Sequence, residues 1–415
     1  MDEAGRELLG LLDGLPLALA QAASYIRETG LDTASYLRLY KQQWGDLMGS
    51  DGESGSPLVD YEQGSVATTW TVSFKAVEAQ NKNAANLLRL WAFVDGRDLW
   101  HGLLQAAAEG GEQWPGWLCD VAGNEVRYLD AVRLLLRYSM IESQESVQGS
   151  HMMHPVVHRW ASHIQDGAEK REILRLAVMV VGLSVPSSTI KDYWVAQRRL
   201  LPHAERCSWW IAEIYKALRS FDDTRAIDAM HMLGILYADQ GRLTEAESMY
   251  QRALKGKEKA LGQDHISTLG TVNNLGSLYY KDQGRLMEAE SMYQRALEGY
   301  EKALGQDHIS TLGTVNNLGS LYADQGRLTE AESMYQRALK GKEKALGQDH
   351  TSTLNTVNNL GLLYADQGRL IEAELIYQRA LEGFRVALGP SHRKTQVVMQ
   401  NLDLLPHAKG MSKRL

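Results

Sequence analysis

The 415-residue sequence is poor in cysteine, with Cys119 and Cys207 alone. Their spacing fits neither a metal knuckle nor a redox pair, which argues against a disulfide framework and for a reducing intracellular compartment. Positive charge is not in excess: the formal net charge is −7, so nothing points to nucleic acid or an anionic membrane as partner. No apolar run approaches the ~18 residues that span a bilayer. The first residues, MDEAGRELL, are acidic where a secretory signal would be basic. A phosphate-binding loop is also missing: no GxxxxGK[ST] occurs anywhere in the chain, and ATP hydrolysis is therefore not expected. The balance of 44% apolar and 23% charged residues is that of a soluble globular chain long enough for two or three domains. A cytoplasmic, non-enzymatic protein is the expectation.

What the chain has in abundance is itself. Residues 243–279 and 328–364 are identical at 34 of 37 positions, with further copies starting at Leu286 and Leu370. A period near 42 residues signals a solenoid, whose product is an extended surface suited to binding. Within a copy, Leu286, Ala289, Tyr293, Ala296, Tyr300 and Ala303 share one helical face, and Gly305 ends that helix. Leu269, Val272, Leu275, Gly276 and Tyr279 share a face of the other helix, which Ser267 or Thr268 can cap. Asp282-Gln283-Gly284 turns between them. Glycine inside a helix costs about 1 kcal/mol. Its recurrence at Gly234, Gly276, Gly319 and Gly361 predicts close approach of a neighbouring backbone, with Ala246, Ala289, Ala331 and Ala373 as counterparts.

The sequence Leu275-Gly276, Tyr279, Ala289, Tyr293, Ala296 resembles the tetratricopeptide repeat. The lengthened unit, with LGQDH in its loop and VNNLGSLY in its first helix, is similar to the kinesin light chain type. The likeness covers residues 226–405, with Pro406 breaking the pattern and a polar tail as cap. Asn274, Asn317, Asn359 and Asn401 hold one register on successive first helices, and Asn273, Asn316 and Asn358 precede the first three. An amide both donates and accepts, so such a row can hold the backbone of an extended peptide. In similar arrays, such as that of O-linked GlcNAc transferase, asparagines at this register line the groove. The resemblance implies a protein or peptide ligand on these seven residues. The other reading is that they bond across neighbouring helices, or record duplication alone. Ser277 and Tyr280 are further groove candidates, though they vary between copies.

Residues 1–225 hold no repeat but all ten tryptophans. A helix containing Gly14-Leu15-Pro16-Leu17-Ala18-Leu19-Ala20 is expected first, then one from Thr33 to Trp44, then a loop over 49–56. Helical segments follow from Ser65, and a hairpin-like wing runs through Gln148-Gly149-Ser150 into HMMHPVVHRWASH. GLPLALAQAASYI resembles the GLPL motif of the NB-ARC module of NOD-like receptors. WTVSF, LLRLWAFVDGRDLW and LLLRYSMIES are similar to the winged-helix subdomain that follows it, particularly in fungal members. Met153-His154-Pro155 stands where that family has Met-His-Asp, with proline in place of the aspartate. The resemblance implies ADP contacts at Pro16 and His154, in a full-length receptor only. Leu200-Leu201-Pro202-His203-Ala204 looks like part of the helical connector to the repeats.

The expected fold is mainly α. A partial NB-ARC helical segment (1–48) and a winged helix (60–165) are followed by a connector (166–225) and an α-solenoid (226–405). The leading function is an interaction scaffold or sensor, the remnant of a NOD-like receptor without its nucleotide-binding loop. The alternatives are a kinesin-light-chain-like cargo adaptor and a signal-transduction ATPase completed by upstream sequence. Self-association stays open. No cofactor or metal is expected: His154 and His158 have i, i+4 spacing, but the glutamate of H-E-x-x-H is absent. The Asp-His pairs of the LGQDH loops read as loop packing and helix capping.

Overall fold

The computed structural model describes residues 3–12, 15–50, 64–109, 111, 114–145, 147–165, 167–187, 190, 192–217, 223–282 and 284–405. Two compact units follow one another, Met1–Leu236 and Tyr237–Leu415.

The first unit opens with α1 (Glu3–Leu11), α2 (Pro16–Thr29) and α3 (Thr33–Ser50). The GLPL segment is therefore not the interior of one helix. Pro16 is the first residue of α2, where its missing N–H is no loss because the first turn has no partner for it. The expected loop over 49–56 also shifts, since α3 continues to Ser50 and the rest lies outside the described residues. Next come α4 (Gly64–Gln80) and α5 (Lys82–Trp91), then strand β1 (Leu99–Trp100) and a 3-10 turn over His101–Leu104. Then α6 (Gln105–Ala108), α7 (Gly116–Gly123) and α8 (Glu125–Arg137) lead to β2 (Glu142–Ser143) and β3 (Ser150–Met152). The three strands form an antiparallel sheet of order β1-β3-β2, with Leu99 opposite His151 and Glu142 opposite Met152. The hairpin is closed by Gly149 at φ +76°, a left-handed turn conformation that glycine adopts without steric cost.

After the sheet come α9 (Pro155–Ala161), α10 (Gly167–Leu183) and α11 (Tyr193–Ala217). The tryptophans explain why this unit coheres. Trp70, Trp91 and Trp160 are buried; Trp91 meets Tyr128 edge-on at 6.3 Å, and Trp160 packs against Trp70 and Phe74 at 5.9 Å. Burying such rings removes on the order of 150–250 Å² each from water. Pro202 lies inside α11.

The repeats give α12 (Thr224–Asp239), α13 (Leu243–Leu261), α14 (Ile266–Lys281), α15 (Leu286–Leu304), α16 (Ile309–Asp324), α17 (Leu328–Leu346), α18 (Thr351–Asp366), α19 (Leu370–Leu388) and α20 (Arg393–Leu404). First helices alternate with second helices, and α14 with α15, α16 with α17 and α18 with α19 form tight antiparallel hairpins. The chain is mainly α, and its repeats are an α-solenoid. Pro406 and the tail lie outside the described residues.

Two local expectations change. The cap of α14, α16, α18 and α20 is a histidine, not the serine or threonine expected there. The Nδ1 atoms of His265, His308, His350 and His392 accept the backbone N–H two residues on, at 3.1–3.2 Å. The threonine closes the loop instead: Thr268 Oγ1 donates to the Gly262 carbonyl at 2.8 Å. The helical glycines also face something other than an alanine-lined backbone. A Cβ on Gly276, Gly319 or Gly361 would stand 2.7–2.8 Å from the ring of Tyr293, Tyr335 or Tyr377. The small residue accommodates the flat face of an aromatic ring from the second helix.

Candidate partner-binding face

Successive repeats are joined differently on their two sides. On the second-helix side the joint is ionic. Arg285 sets its guanidinium 3.8 Å over the Tyr279 ring, reaches Glu247 of α13 at 2.8 Å and pairs with Glu288 at 3.1 Å. Arg327 repeats this over Tyr322 at 3.9 Å with Glu290 and Glu330, and Arg369 over Tyr364 at 3.9 Å with Glu332 and Glu372. Arg295 adds a bond to Glu258 at 2.6 Å, and Lys302 one to Asp264 of the LGQDH loop at 2.8 Å. These carboxylates hold the arginines firmly protonated.

On the first-helix side the joint is neutral. Asn273 Oδ1 accepts from Thr314 Oγ1 at 3.0 Å and from Asn317 Nδ2 at 3.4 Å. Asn316 Oδ1 accepts from Thr356 Oγ1 at 2.9 Å and from Asn359 Nδ2 at 3.5 Å. Asn358 Oδ1 accepts from Asn401 Nδ2 at 3.4 Å. The two asparagine registers thus form one ladder that crosses from helix to helix, and α14, α16 and α18 touch along it. Bonding across neighbouring helices, the second of the two readings offered by the sequence, is what the geometry displays. Asn274 is also engaged.

The ladder does not exhaust these amides. Asn317 and Asn359 each use one Nδ2 hydrogen, which leaves the carbonyl oxygen and a second hydrogen. All the ladder asparagines are partly exposed. Ser277, by contrast, belongs to the packing, donating to the Asn273 carbonyl at 3.2 Å and accepting from Tyr293 Oη at 3.1 Å. Tyr280 reaches Asp324 of the next first helix at 2.6 Å. The threonines at 314 and 356 were not singled out from sequence, although Thr271, Thr314 and Thr356 share one register; that recurrence was the available signal.

The residues carried over from the nucleotide-binding family lie apart from this face in the chain. Pro16 is exposed at the start of α2. His154 is exposed, and its Nδ1 accepts the Val156 N–H at 3.3 Å as the cap of α9. His158, four residues on, turns inward and donates from Nε2 to the Val94 carbonyl at 2.8 Å, so the pair is not arranged as a chelate. The sequence holds no GxxxxGK[ST] motif.

Comparison with known proteins agrees with the repeat geometry. The tetratricopeptide repeat model matches residues 225–302, 267–344 and 310–385. A nucleotide-binding leucine-rich repeat (NLR)-like protein of Hyaloscypha variabilis is 28% identical over 282 residues, covering 66% of this chain. The match spans 26% of that relative's length. Among solved structures, nearly identical TPR-like repeats of kinesin light chain type from Podosopora anserina cover 53% of this chain and 99% of their own, at 19% identity and a TM-score of 0.42. A signal transduction ATPase with a tetratricopeptide repeat sensor from Pyrococcus horikoshii covers 94% of this chain and 62% of its own, at 15% identity and a TM-score of 0.37.

Proposed function

From a solenoid of tetratricopeptide repeats in a chain homologous to an NLR-like protein, we propose that this protein is the sensing and docking part of an NLR-type system. Its repeats bind an extended peptide or a protein segment along the first-helix face, and it works by binding and not by catalysis. The observation that carries the reading is the two-sided joint. Ion pairs knit the second helices, while the first helices present a neutral amide row with spare donors and acceptors in a regular spacing. A peptide backbone has the same alternation of donors and acceptors, and amides satisfy it without reading side chains. The winged-helix-like unit would then be the part that passes occupancy of the repeats to the rest of such a system.

Panning the full chain against phage-displayed random 12-residue peptides tests this. Selected peptides should lose about tenfold in affinity, or roughly 1.4 kcal/mol, in the double variant Asn317→Ala, Asn359→Ala. Thr356→Val, which cuts a ladder bond but leaves the Asn359 amide, should lower thermal stability and leave peptide affinity in place. Selected peptides indifferent to both asparagines would sink the groove assignment.

A further inference from the structure

A cleft of a different character stands in the first unit. The helices α9, α10 and α11 and the segment following α5 enclose a cleft of about 680 Å³ lined by Asp95, Arg97, His158, Lys170, Arg206, Trp209 and Trp210, among others. That volume lies within the range of small-molecule pockets, roughly 300–1,000 Å³. His154, the residue that family resemblance links to nucleotide, is not in its lining.

The polar groups of the cleft divide into those already satisfied and those left over. Asp95 is committed to Arg97, which it holds through both carboxylate oxygens at 2.7–3.1 Å. The imidazole of His158 is spent on the Val94 carbonyl, and that of His163 on the Arg159 carbonyl at 2.7 Å. Two cations remain. Arg206 lies over both indoles, 5.1 Å from Trp209 and 5.3 Å from Trp210, and its buried Nε has no hydrogen-bond partner. Lys170 lies 5.3 Å over the other ring, Trp210. No carboxylate forms an ion pair with either among the described residues, and burial pulls both below their ordinary pKa. Trp210 is 8% exposed, and its buried Nε1 also lacks a partner. Its neighbour Trp209 is half-exposed and offers a ring edge-on to Trp210 at 4.6 Å.

Leaving buried donors unmade costs about 1–3 kcal/mol each, and more for charged groups. Two such donors, Arg206 Nε and Trp210 Nε1, belong to the lining of one cleft that also holds the partly buried Lys170 ammonium and an open indole. We infer that this cleft binds a small organic oxyanion with an aromatic body, its carboxylate or phosphate held by Lys170, Arg206 and the Trp210 N–H and its ring laid against Trp209. Oxyanions accept from a guanidinium and an ammonium together, and an aromatic body gains from contact with an indole.

Calorimetric titration of the full chain with phenyl phosphate, 3-phenylpropanoate, inorganic phosphate and benzyl alcohol tests the site. Saturable binding is expected for one or both aromatic anions, and which one binds more tightly tells phosphate from carboxylate. Arg206→Gln and, separately, Lys170→Gln should each weaken it by about tenfold or more; Lys170→Gln leaves the indole packing of Arg206 in place, so it reads the site even if the other variant folds poorly. Trp209→Leu should erase the preference over inorganic phosphate. The inference is overturned if neither aromatic anion binds up to about 10 mM, if benzyl alcohol or inorganic phosphate binds as well as they do, or if Lys170→Gln leaves the affinity unchanged.

Discussion

The ring of Tyr293 fills the space that a Cβ on Gly276 would occupy, 2.7 Å from its nearest carbon. The same contact recurs between Gly319 and Tyr335 and between Gly361 and Tyr377, so in the hairpins α14–α15, α16–α17 and α18–α19 one glycine and one aromatic limit how closely the two helices approach. Tyr293 is fixed in turn by its bond to Ser277. A methyl group at the glycine must push the second helix away or turn the ring out of its bond.

This makes two alanine substitutions in one helix act in opposite directions. Gly319→Ala is expected to lower stability by about 1–3 kcal/mol, the range for overpacking a filled site. Gly313→Ala, in the same helix with nothing within 4 Å of the added Cβ, should raise it by up to about 1 kcal/mol through helix propensity. Urea denaturation of the two variants beside the parent checks both signs. Equal shifts for the two would show that the tyrosine contact sets no constraint.

The arginine joint should respond to salt. Arg327→Lys keeps the charge but loses the planar fork that reaches Glu290 and Glu330 and the stacking on Tyr322. The unfolding midpoint of the variant should fall below the parent in low salt, and the gap should narrow as salt screens the ion pairs. The stacked part is not screened, so some gap should persist in 1 M salt, where the Debye length is about 3 Å. A variant indistinguishable from the parent at every salt concentration rules out the joint as a source of stability.

The periodic parts of this architecture were legible in the sequence, and the paired contacts were not. Spacing placed the helices of the repeat, because Leu286, Ala289, Tyr293 and Ala296 can be buried together only on a helix. It placed Gly305 as a stop, and Gly305 is the C-cap at φ +91°. It did not reveal what opposed Gly276, because a glycine records only that something is close. It read the Asp264-His265 pair as loop packing and helix capping, and His265 is the cap; that its ring nitrogen displaces the hydroxyls of Ser267 and Thr268 from that role depends on how the imidazole faces the first turn. The asparagine row was visible as a register. Its bonding to Thr314 and Thr356 was not, because that depends on how closely successive first helices approach. In the first unit the cleft of Lys170 and Arg206 left no sequence signal, since its lining comes from separate helices brought together only by folding.

Lys342 predicts a stability that rises in mild alkali. It is 4% exposed, donates to Thr356 Oγ1 at 2.9 Å, and burial without a countercharge lowers its pKa to about 8 from 10.5. The first copy also carries a lysine here, Lys257, while the other two carry Tyr300 and Phe384. Because the unfolded chain still binds the proton between pH 8 and 10.5 while the folded chain does not, unfolding becomes harder as pH rises through that window. The gain is on the order of 3 kcal/mol over the whole window at about 1.4 kcal/mol per pH unit. Lys342→Phe should be more stable than the parent at pH 7, with the difference shrinking by pH 10. Denaturation midpoints at the two pH values decide it, and a difference independent of pH would count against the buried charge.

His203 gives the opposite window in the first unit. It is fully buried in α11, edge-on to Trp100 at 5.3 Å, and burial pushes its pKa down to about 4 from 6.5 although Asp95 and Asp98 pull upward. Arg199, stacked on the same Trp100 and bonded to Asp98 at 2.7 Å, works against a second positive charge there. Between pH 6.5 and 4 the unfolded chain takes up a proton that the folded chain refuses, so stability falls as pH drops through this range, by on the order of 3 kcal/mol in all. The surrounding carboxylates titrate in acid as well, and the contribution of His203 is therefore the difference between parent and His203→Leu. That variant removes the titrating ring and keeps an apolar side chain against Trp100. Its advantage over the parent should grow as pH is lowered from 7 to 4, measured by urea denaturation followed through tryptophan fluorescence, which reports on the first unit because all ten indoles reside there. A constant difference across that range would mean that His203 titrates alike in the folded and unfolded chain, its neighbouring carboxylates offsetting its burial.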